Sequence, residues 1–338
     1  MKSNYPEEMN VIRGACFDEV SQGKDWPYPF DASLLALLKE ENRFEQEYVF
    51  LQRGEAYALA VMYRMRLNLF TFGKLNWRIP VKVIGYPCSL SNEGYLTNDV
   101  EVLLRYAEGV KGAKLILNAK ESVDSAHWSV GETLPTCLFV NRFRSMEEYM
   151  GSLRSGYRRR IRKALSACCE FTVREGAEDV DIYPLYLNTY EKSGYKLEKL
   201  EPGFFSRVDA VRLVFLKDNA ARGFVLLKET DGTLVFMLCG MDYRYETADL
   251  YYFMLYTILE YGIKRGVQRI DLGQTSEETK LKLGAVLEKR YFYAHHSNPV
   301  INRLVRLGKN LLAYHYRFPE YRVFLEEKDE STVSKTGI

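Results

Sequence analysis

The stretch that decides the fold lies near the end of the chain and reads ADLYYFMLYTILEYGIKRG (residues 248–266), VQRIDLG (267–273), QTSEETKLKLGAV (274–286) and LEKRYFYAH (287–295). It predicts, in order, a long apolar helix, a short buried strand, a short polar helix and a closing strand. A strand, a helix that crosses back and a neighbouring parallel strand form the right-handed crossover of open α/β sheets. We expect the rest of the chain to build around this unit.

The long helix is apolar on nearly every side. Leu250, Met254 and Ile258 recur at helical spacing, and the opposite face carries Tyr252 and Leu255. A helix of this kind is buried on several sides, so it is expected to pack against a sheet.

The composition is that of a globular protein with room for two domains. The chain has 338 residues, of which 47% are hydrophobic, and its formal net charge is only +2, so no overall field points to nucleic acid. The start, MKSNYPEEMN, does not resemble a secretion signal, and no uncharged stretch of roughly 18 residues is available to span a membrane; a cytoplasmic location is expected. Six cysteines and four histidines show no metal-ligand spacing, so reduced cysteines and no metal are predicted.

Several segments, taken together, resemble a known family. They are CGMDY (239–243), DLGQTS (271–276), KLKLGA (280–285) and, upstream, SLRSGYRRRIRKAL (152–165). Their order and spacing resemble the Fem-type N-acyltransferases, the branch of the GNAT superfamily that includes the peptidoglycan aminoacyltransferases, over residues 145–298. The resemblance implies an α/β (α+β) fold of two tandem GNAT-like lobes, each a mixed twisted sheet flanked by helices. It also implies transfer of an acyl or aminoacyl group from acyl-CoA (such as acetyl-CoA) or aminoacyl-tRNA to an amine, with a cell-wall precursor as one acceptor.

A repeated pattern supports two lobes. VEVLLRYAEGVKGAKLIL (100–117) and YYFMLYTILEYGIKRGVQRIDL (251–272) each contain an apolar helix, a basic residue before a glycine, and a short strand. An internal duplication predicts an N-terminal lobe at 1–144, a C-terminal lobe at 145–298, and a final helix and tail at 299–338, with the two helices in equivalent places. Chance similarity is the alternative, because helix-then-strand is common in α/β proteins.

A basic helix is predicted between the lobes, at 145–167. Arg154, Arg158 and Arg162 lie along one line of it and are candidates for binding a donor; a solvated face is the alternative. A second functional hypothesis follows, namely a non-catalytic GNAT-like protein that binds tRNA or an anionic membrane surface through this arginine-rich helix. The amphipathic segment 300–316 is either another such surface or a helix packed on its own domain.

Candidate catalytic residues follow the strand that ends near residue 240, because open α/β sheets bind ligands at the carboxyl ends of their strands. N-acyl transfer needs a neutral amine, donors for the acyl oxygen and a proton for the leaving group. Asp242 is a candidate to hold the ammonium or take its proton, and Tyr243 or Tyr252 to protonate the leaving group. The alternative is that Asp242 caps a turn and that the tyrosines fill the core.

The usual coenzyme A loop is not evident. In ordinary GNAT enzymes, glycines let backbone N–H groups approach the pyrophosphate at a helix N-terminus. The corresponding segment, MDYRYETAD (241–249), has three acidic residues and no glycine, with Arg244 as the candidate to bind a phosphate. We expect weak or no contact between a coenzyme A pyrophosphate and this loop.

The last candidates follow the strand that ends at residue 272. Gln274 and Thr275 are candidates for binding substrate or donor, and Lys280 lies one turn along a short helix that begins at Ser276. Lys280 is near the negative end of that helix, which favours a charged ammonium able to hold an acyl carbonyl, a carboxylate or a phosphate; the Fem-type resemblance, with a lysine at this spacing, implies the same. The alternative is an exposed lysine paired with Glu277.

Overall fold

A computed structural model describes residues 9–68, 77–88, 90–194, 198–244 and 247–325. The tail that begins at residue 326, predicted to be polar and frayed, lies outside the described residues.

The first half of the chain supplies strands and two helices. The strands are β1 Asn10–Gly14, β2 Gln46–Arg53, β3 Ala56–Asn68, β4 Arg78–Ile84, β5 Tyr95–Thr97, β6 Ala113–Ala119, β7 Ser129–Glu132 and β8 Thr136–Val140. The helices are α1 Ala32–Glu40 and α2 Val100–Gly109.

The second half is richer in helix. Its helices are α3 Met146–Ser152, α4 Ser155–Ala167, α5 Tyr183–Lys192, α6 Pro202–Arg207, α7 Thr247–Arg265, α8 Glu277–Leu281, α9 Pro299–Leu307 and α10 Lys309–Leu312. Its strands are β9 Thr172–Glu175, β10 Val211–Lys217, β11 Ala220–Thr230, β12 Thr233–Met241, β13 Arg269–Asp271, β14 Val286–Glu288 and β15 Tyr291–His296.

The strands form two sheets of matching design. Sheet 1 has the order β1-β2-β3-β4-β6-β15-β7, with β5 paired to β3, and sheet 2 has the order β14-β8-β13-β12-β11-β10-β9. In each sheet one parallel pair, β4 with β6 and β12 with β13, is joined by a helix, α2 or α7. The other pairs are antiparallel. The predicted fold class and the equivalent places of the two helices are therefore confirmed.

The two halves exchange one strand each. β8, from the first half, lies between β13 and β14 in sheet 2, whereas β15, from the second half, lies between β6 and β7 in sheet 1. The predicted closing strand thus completes the other sheet, and the predicted boundary at residues 144 and 145 does not separate the sheets. The exchange buries both faces of β15, because Tyr293 packs on the α2 side while Phe292 and Ala294 face the opposite side.

Three layers of apolar contacts follow from strand alternation. The outer face of sheet 1 packs on α2, and the outer face of sheet 2 packs on α7, α3 and α4. The inner faces meet across α1, α5 and α6, where Phe50 and Val61 of sheet 1 share one core with Phe224 and Leu226 of sheet 2. This arrangement leaves space for a site between the sheets.

Two segments predicted as single helices are interrupted. The basic segment breaks between α3 and α4 because Leu153 is extended and pairs with Phe324, while the Arg154 N–H donates to the Val323 carbonyl. The segment 300–316 divides at Gly308 into α9 and α10. The first break places the end of the described chain against the start of α4.

Candidate functional site

A cavity of about 1670 Å³ lies between the two sheets. It opens where two parallel strands separate. Residues Thr233–Val235 of β12 pair with Arg269–Asp271 of β13. Beyond these pairs β12 continues to Met241, whereas the chain after β13 turns away at Gly273. The cavity therefore lies at the carboxyl ends of these strands, where the sequence predicted a ligand.

The turn after β13 has an unusual backbone. Gly273, Thr275 and Ser276 have φ angles of 72°, 62° and 51°, in the left-handed region that non-glycine residues adopt at a cost. The surrounding side chains hold this conformation. Lys280 Nζ donates to the carbonyls of Gly273 (3.1 Å) and Gln274 (2.8 Å), and Tyr251 shares a hydrogen bond with the Ser276 side chain.

Lys280 is buried, with 1% of its surface exposed, and it lines the cavity. The alternative of an exposed lysine paired with Glu277 is therefore wrong. Burial lowers the pKa of the Lys280 ammonium below its ordinary value, while nearby acidic groups, including Asp271 and Glu277, act in the opposite direction. An ammonium has three N–H donors, and two of them go to the carbonyls of the turn.

Asp271 joins three segments at the base of the turn. Its Oδ1 accepts hydrogen bonds from Thr136 Oγ1 (2.6 Å) and from the Gly273 N–H (2.8 Å), and its Oδ2 accepts one from Ser91 Oγ (2.8 Å). Thr136 belongs to the exchanged strand β8, and Ser91 belongs to the first half of the chain. The carboxylate therefore fixes the turn relative to two separate segments of the first half.

Gln274 makes a second link to the first half. Its Nε2 donates to Asn118 Oδ1 (3.1 Å) and to the Leu134 carbonyl (2.6 Å). Both Gln274 and Thr275 line the cavity. The structure therefore brings Lys280, Gln274 and Thr275 together, as their sequence positions predicted.

The edge of β12 offers a backbone donor to the cavity. The Asp242 N–H donates to the backbone carbonyl of Arg222 on β11 (2.8 Å), whereas the Met241 N–H donates to Thr189 Oγ1 (3.3 Å) on the opposite edge. Alternation along a strand places the Cys239 N–H on the same edge as that of Met241, and Cys239 lines the cavity. A preorganised N–H of this kind stabilises negative charge on an acyl oxygen.

Tyr243 is the predicted tyrosine that reaches the cavity. Its hydroxyl donates to Thr189 Oγ1 (3.3 Å), and the Lys192 ammonium lies 3.9 Å from the centre of its ring. Burial raises the pKa of Tyr243, so the phenol keeps its proton at neutral pH.

Asp242 is not among the residues that line the cavity. It is buried, and its carboxylate pairs with Arg222 (3.2 Å) and Arg244 (2.7 Å). Hydrogen bonds from Arg244 are the main cause that lowers the pKa of Asp242 to about 2, which makes it a weak base. The prediction that Asp242 takes a proton from the amine is thus corrected, because its carboxylate forms an ion pair. The same ion pair engages Arg244, the predicted phosphate ligand.

Tyr252 likewise lies away from the cavity. The Arg160 guanidinium lies 3.9 Å from the centre of its ring and also pairs with Asp249 (2.6 Å) on α7. This contact fastens α4 to α7, so Tyr252 is corrected from a proton donor to part of a helix contact.

The predicted donor-binding arginines of α4 do not line the cavity either. Arg154 Nε donates to the Phe324 carbonyl (3.1 Å), and Arg158 Nη2 donates to the Leu153 carbonyl (2.7 Å). Arg162 is exposed to solvent. The first two arginines bond the chain around the helix break, which leaves a smaller basic surface than the sequence suggested.

Several cavity residues were missed from the sequence, namely Ser91, Asn118 and Thr189. Asn118 had a signal: the paired registers of β6 and β13 place Asn118 (φ 60°) where the other half has Gly273 (φ 72°). Extending the alignment of the two repeated segments by one residue at the end of each would have identified Asn118. Ser91 had no such signal, because its contact with Asp271 depends on how the halves meet.

The described part of the chain lacks membrane-spanning helices, metal sites and disulfides. It contains no helix long and apolar enough to cross a bilayer, and no group of three His, Cys, Asp or Glu side chains is arranged to hold a metal ion there. The six cysteines, all of them within the described residues, form no disulfide.

Comparison with known proteins finds a family match for the part of the chain that forms one side of the cavity. Residues 151–281 match the family model of an acetyltransferase (GNAT) domain. The GNAT resemblance seen in the sequence is therefore confirmed for this part of the chain. No curated protein matches the sequence.

Three solved structures are similar in fold to this chain at low sequence identity. L-PGS from Bacillus licheniformis has 12% identity and a TM-score of 0.49, over 88% of this chain and 96% of that chain. FemX has 13% identity and a TM-score of 0.46, over 80% and 92%. A tandem GNAT protein from the clavulanic acid biosynthesis pathway has 10% identity and a TM-score of 0.47, over 86% and 99%.

Proposed function

We propose that the protein is an N-acyltransferase that moves an acyl or aminoacyl group from an activated donor to an amine inside the cavity between the sheets. The observation that carries this proposal is the buried Lys280, whose ammonium is held by the carbonyls of Gly273 and Gln274. Its third N–H and the Cys239 N–H are the donors for the oxygen that becomes negative as the amine attacks.

The remaining steps use groups on the same walls. As the bond between the acyl carbon and the donor breaks, Tyr243 protonates the leaving group, and it regains a proton from the amine nitrogen that has bonded to the acyl carbon. The nearby thiols do not act as nucleophiles, because burial raises the pKa of Cys239 to about 11 and that of Cys137 to about 12 and a thiol is far less nucleophilic than a thiolate. The amine therefore attacks the donor directly.

The residues at the start of α7 do not fit a coenzyme A pyrophosphate. Asp242 is held as a carboxylate at the end of β12, and Asp249 is a second carboxylate in the first turn of the helix. Both carboxylates are paired with arginines, Asp242 with Arg222 and Arg244 and Asp249 with Arg160, so these cations are already engaged. The segment 241–249 also has no glycine at the place where backbone N–H groups approach the phosphates of an ordinary GNAT donor. An aminoacyl-tRNA, or an acyl-CoA whose phosphates lie elsewhere, fits this end of the helix better.

The donor is tested by incubating the protein with labelled acetyl-CoA and, separately, with charged tRNA in the presence of a mixture of amines. We expect transfer of label to an amine from one donor, and no contact between coenzyme A phosphates and residues 241–249 in a crystal soaked with coenzyme A. Phosphates bound to the backbone N–H groups at the start of α7 would contradict the assignment. Both donors are made in the cytoplasm, where we place the reaction, and the Fem-type resemblance favours a cell-wall precursor as acceptor.

We also propose that α9 and α10 contact an anionic membrane surface. Val300, Leu304, Leu307 and Leu311 have exposed fractions of 69%, 62%, 76% and 64%, and the basic residues of the same segment are exposed as well. These are Arg303, Arg306 and Lys309. Apolar and basic side chains combined in this way are typical of helices that lie in a bilayer interface.

Membrane contact is tested by sedimentation with phosphatidylglycerol vesicles. We expect the protein to sediment with them, and the double variant Val300→Asp with Leu307→Asp, which changes two exposed residues outside the cavity lining, to lose this binding. Val286→Asp, which changes a similarly exposed apolar residue (54%) on sheet 2, is the matched control. If the double variant still sediments while Arg159→Ser with Arg162→Ser does not, the contact belongs to α4 instead.

A further inference from the structure

The inner face of sheet 1 is packed in two different ways. Under β2 and β3, Phe50 and Val61 are covered by the core that contains α1, α5 and α6. Under β4, β6 and β15 the same face borders the cavity, and α9 and α10, which contact β15 and β7, line it as well. One half of this apolar sheet face is therefore covered by a packed core, and the other half borders the cavity.

This part of the cavity, which we call the apolar arm, is lined by hydrophobic side chains from several elements. They include Val81, Leu115, Leu117, Phe292, Ala294 and Val305. The arm begins beside Asn118, whose side chain bonds Gln274 at the reactive centre, and follows β6 back to Ala113. At about 3.3 Å per residue, that path is on the order of 17 Å long.

The size and chemistry of the arm restrict its ligand. The whole cavity, about 1670 Å³, exceeds the roughly 300–1,000 Å³ typical of sites for small molecules. An amine and an acetyl group would occupy only the region around Lys280 and would leave the arm unfilled. Apolar walls of this extent gain free energy only against an apolar ligand.

We propose that the apolar arm binds a hydrocarbon chain of one substrate, with the reacting group of that substrate beside Lys280. The proposal rests on the proposed acyl transfer for the position of the reacting group. The chain belongs either to a fatty acyl group on the donor or to a lipid amine that accepts the acyl group. Both sources present the same chemistry to the arm.

Direct binding tests the arm without relying on activity. Displacement of a fluorescent fatty acid by octanoate, dodecanoate and hexadecanoate is measured for the unmodified protein and for Ala294→Trp, which places an indole in the arm from β15. We expect affinity to rise with chain length and Ala294→Trp to weaken hexadecanoate binding by at least about tenfold while leaving octanoate little changed. Val286→Trp, on an exposed site of sheet 2, is the control and should bind as the unmodified protein does.

A second variant keeps the test valid if the indole is not accommodated. Leu117→Gln lies at a partly exposed position of the arm and introduces a polar group without added bulk, and it too should weaken binding of the longest chain. Absence of fatty acid binding by the unmodified protein, or binding that neither arm variant reduces, would overturn the proposal.

Activity then assigns the chain to a substrate. If it belongs to the donor, dodecanoyl and hexadecanoyl donors react faster than acetyl, and Ala294→Trp shifts the optimum to shorter chains. If it belongs to the acceptor, the KM of alkylamines falls with their length and Ala294→Trp removes this trend. Chain binding without transfer from any donor would contradict the acyltransferase proposal while supporting the arm.

Discussion

Replacing Lys280 by methionine is expected to lower turnover by roughly 10- to 1000-fold, because the variant removes the ammonium that stabilises the developing negative charge. The measurement is kcat with the donor identified as above. Lys282→Met is the matched control, because Lys282 pairs with Glu278 at the surface (2.7 Å) and is not among the cavity-lining residues. Equal turnover in the two variants would show that Lys280 does not contribute to the reaction.

The Lys280 variant is also expected to lose stability, in contrast to Lys282→Met. The partly buried carbonyls of Gly273 and Gln274 lose their bonds to Nζ, although the Gly273 carbonyl keeps its bond from the Cys137 N–H; the cost is about 1–3 kcal/mol. Turnover must therefore be compared at a temperature at which both variants are folded. A substrate-binding defect alone would raise KM and leave kcat unchanged.

The pH dependence of turnover gives a second readout for Lys280. Because burial lowers its pKa below the ordinary lysine value, activity that needs the ammonium is present at low pH and is lost as pH rises through the lowered value. Lys280→Met should lack this loss. An activity that instead rises over the same range would indicate that the neutral amine acts as a base.

Asp242→Asn is expected to lower the free energy of unfolding by roughly 2–4 kcal/mol, because the variant removes the buried carboxylate from its pair with the partly buried Arg222. Turnover per folded molecule should change little. Urea unfolding and kcat measure the two effects. Asp179→Asn is the control, since Asp179 pairs with Arg174 at an exposed position, where ion pairs contribute little.

The sign of the pH effect follows from the pKa of Asp242, which is lowered to about 2 from an ordinary value of 3.8. The ion pair stabilises the fold above pH 3.8, and this contribution is lost as pH falls towards 2. The difference in stability between Asp242→Asn and the unmodified protein should therefore shrink at low pH. If Asp242→Asn has normal stability but has lost turnover, Asp242 takes part in the reaction.

Local sequence patterns predicted the individual helices and strands, whereas the order of strands in the two sheets depends on long-range pairing. The apolar residues of α7 and the turn at Gly273 express rules that act within a few residues. The exchange of β8 and β15 depends on which strand edges meet across the whole chain, for which strand periodicity carries no information. The boundary at residue 144 followed sequence order, which the exchange does not respect.

The same distinction explains the site. Lys280 and Gln274 follow directly from the rule that ligands lie at strand ends, whereas Thr136 reaches Asp271 only because its strand crosses to the other sheet. The arginines of α4 show the converse problem. Their number is visible in the sequence, but the carbonyl partners of Arg154 and Arg158 are created by the packing of the segment around Phe324.

The strand exchange has a consequence for the nascent chain. During synthesis β8 leaves the ribosome long before β13 and β14, between which it inserts, and sheet 1 has a gap between β6 and β7 until β15 is made near the end of the chain. Neither half can finish folding alone, so both expose unpaired strand edges for most of translation. Unpaired strand edges promote aggregation during folding, so the chain is most prone to aggregate before β15 is synthesised and completes sheet 1.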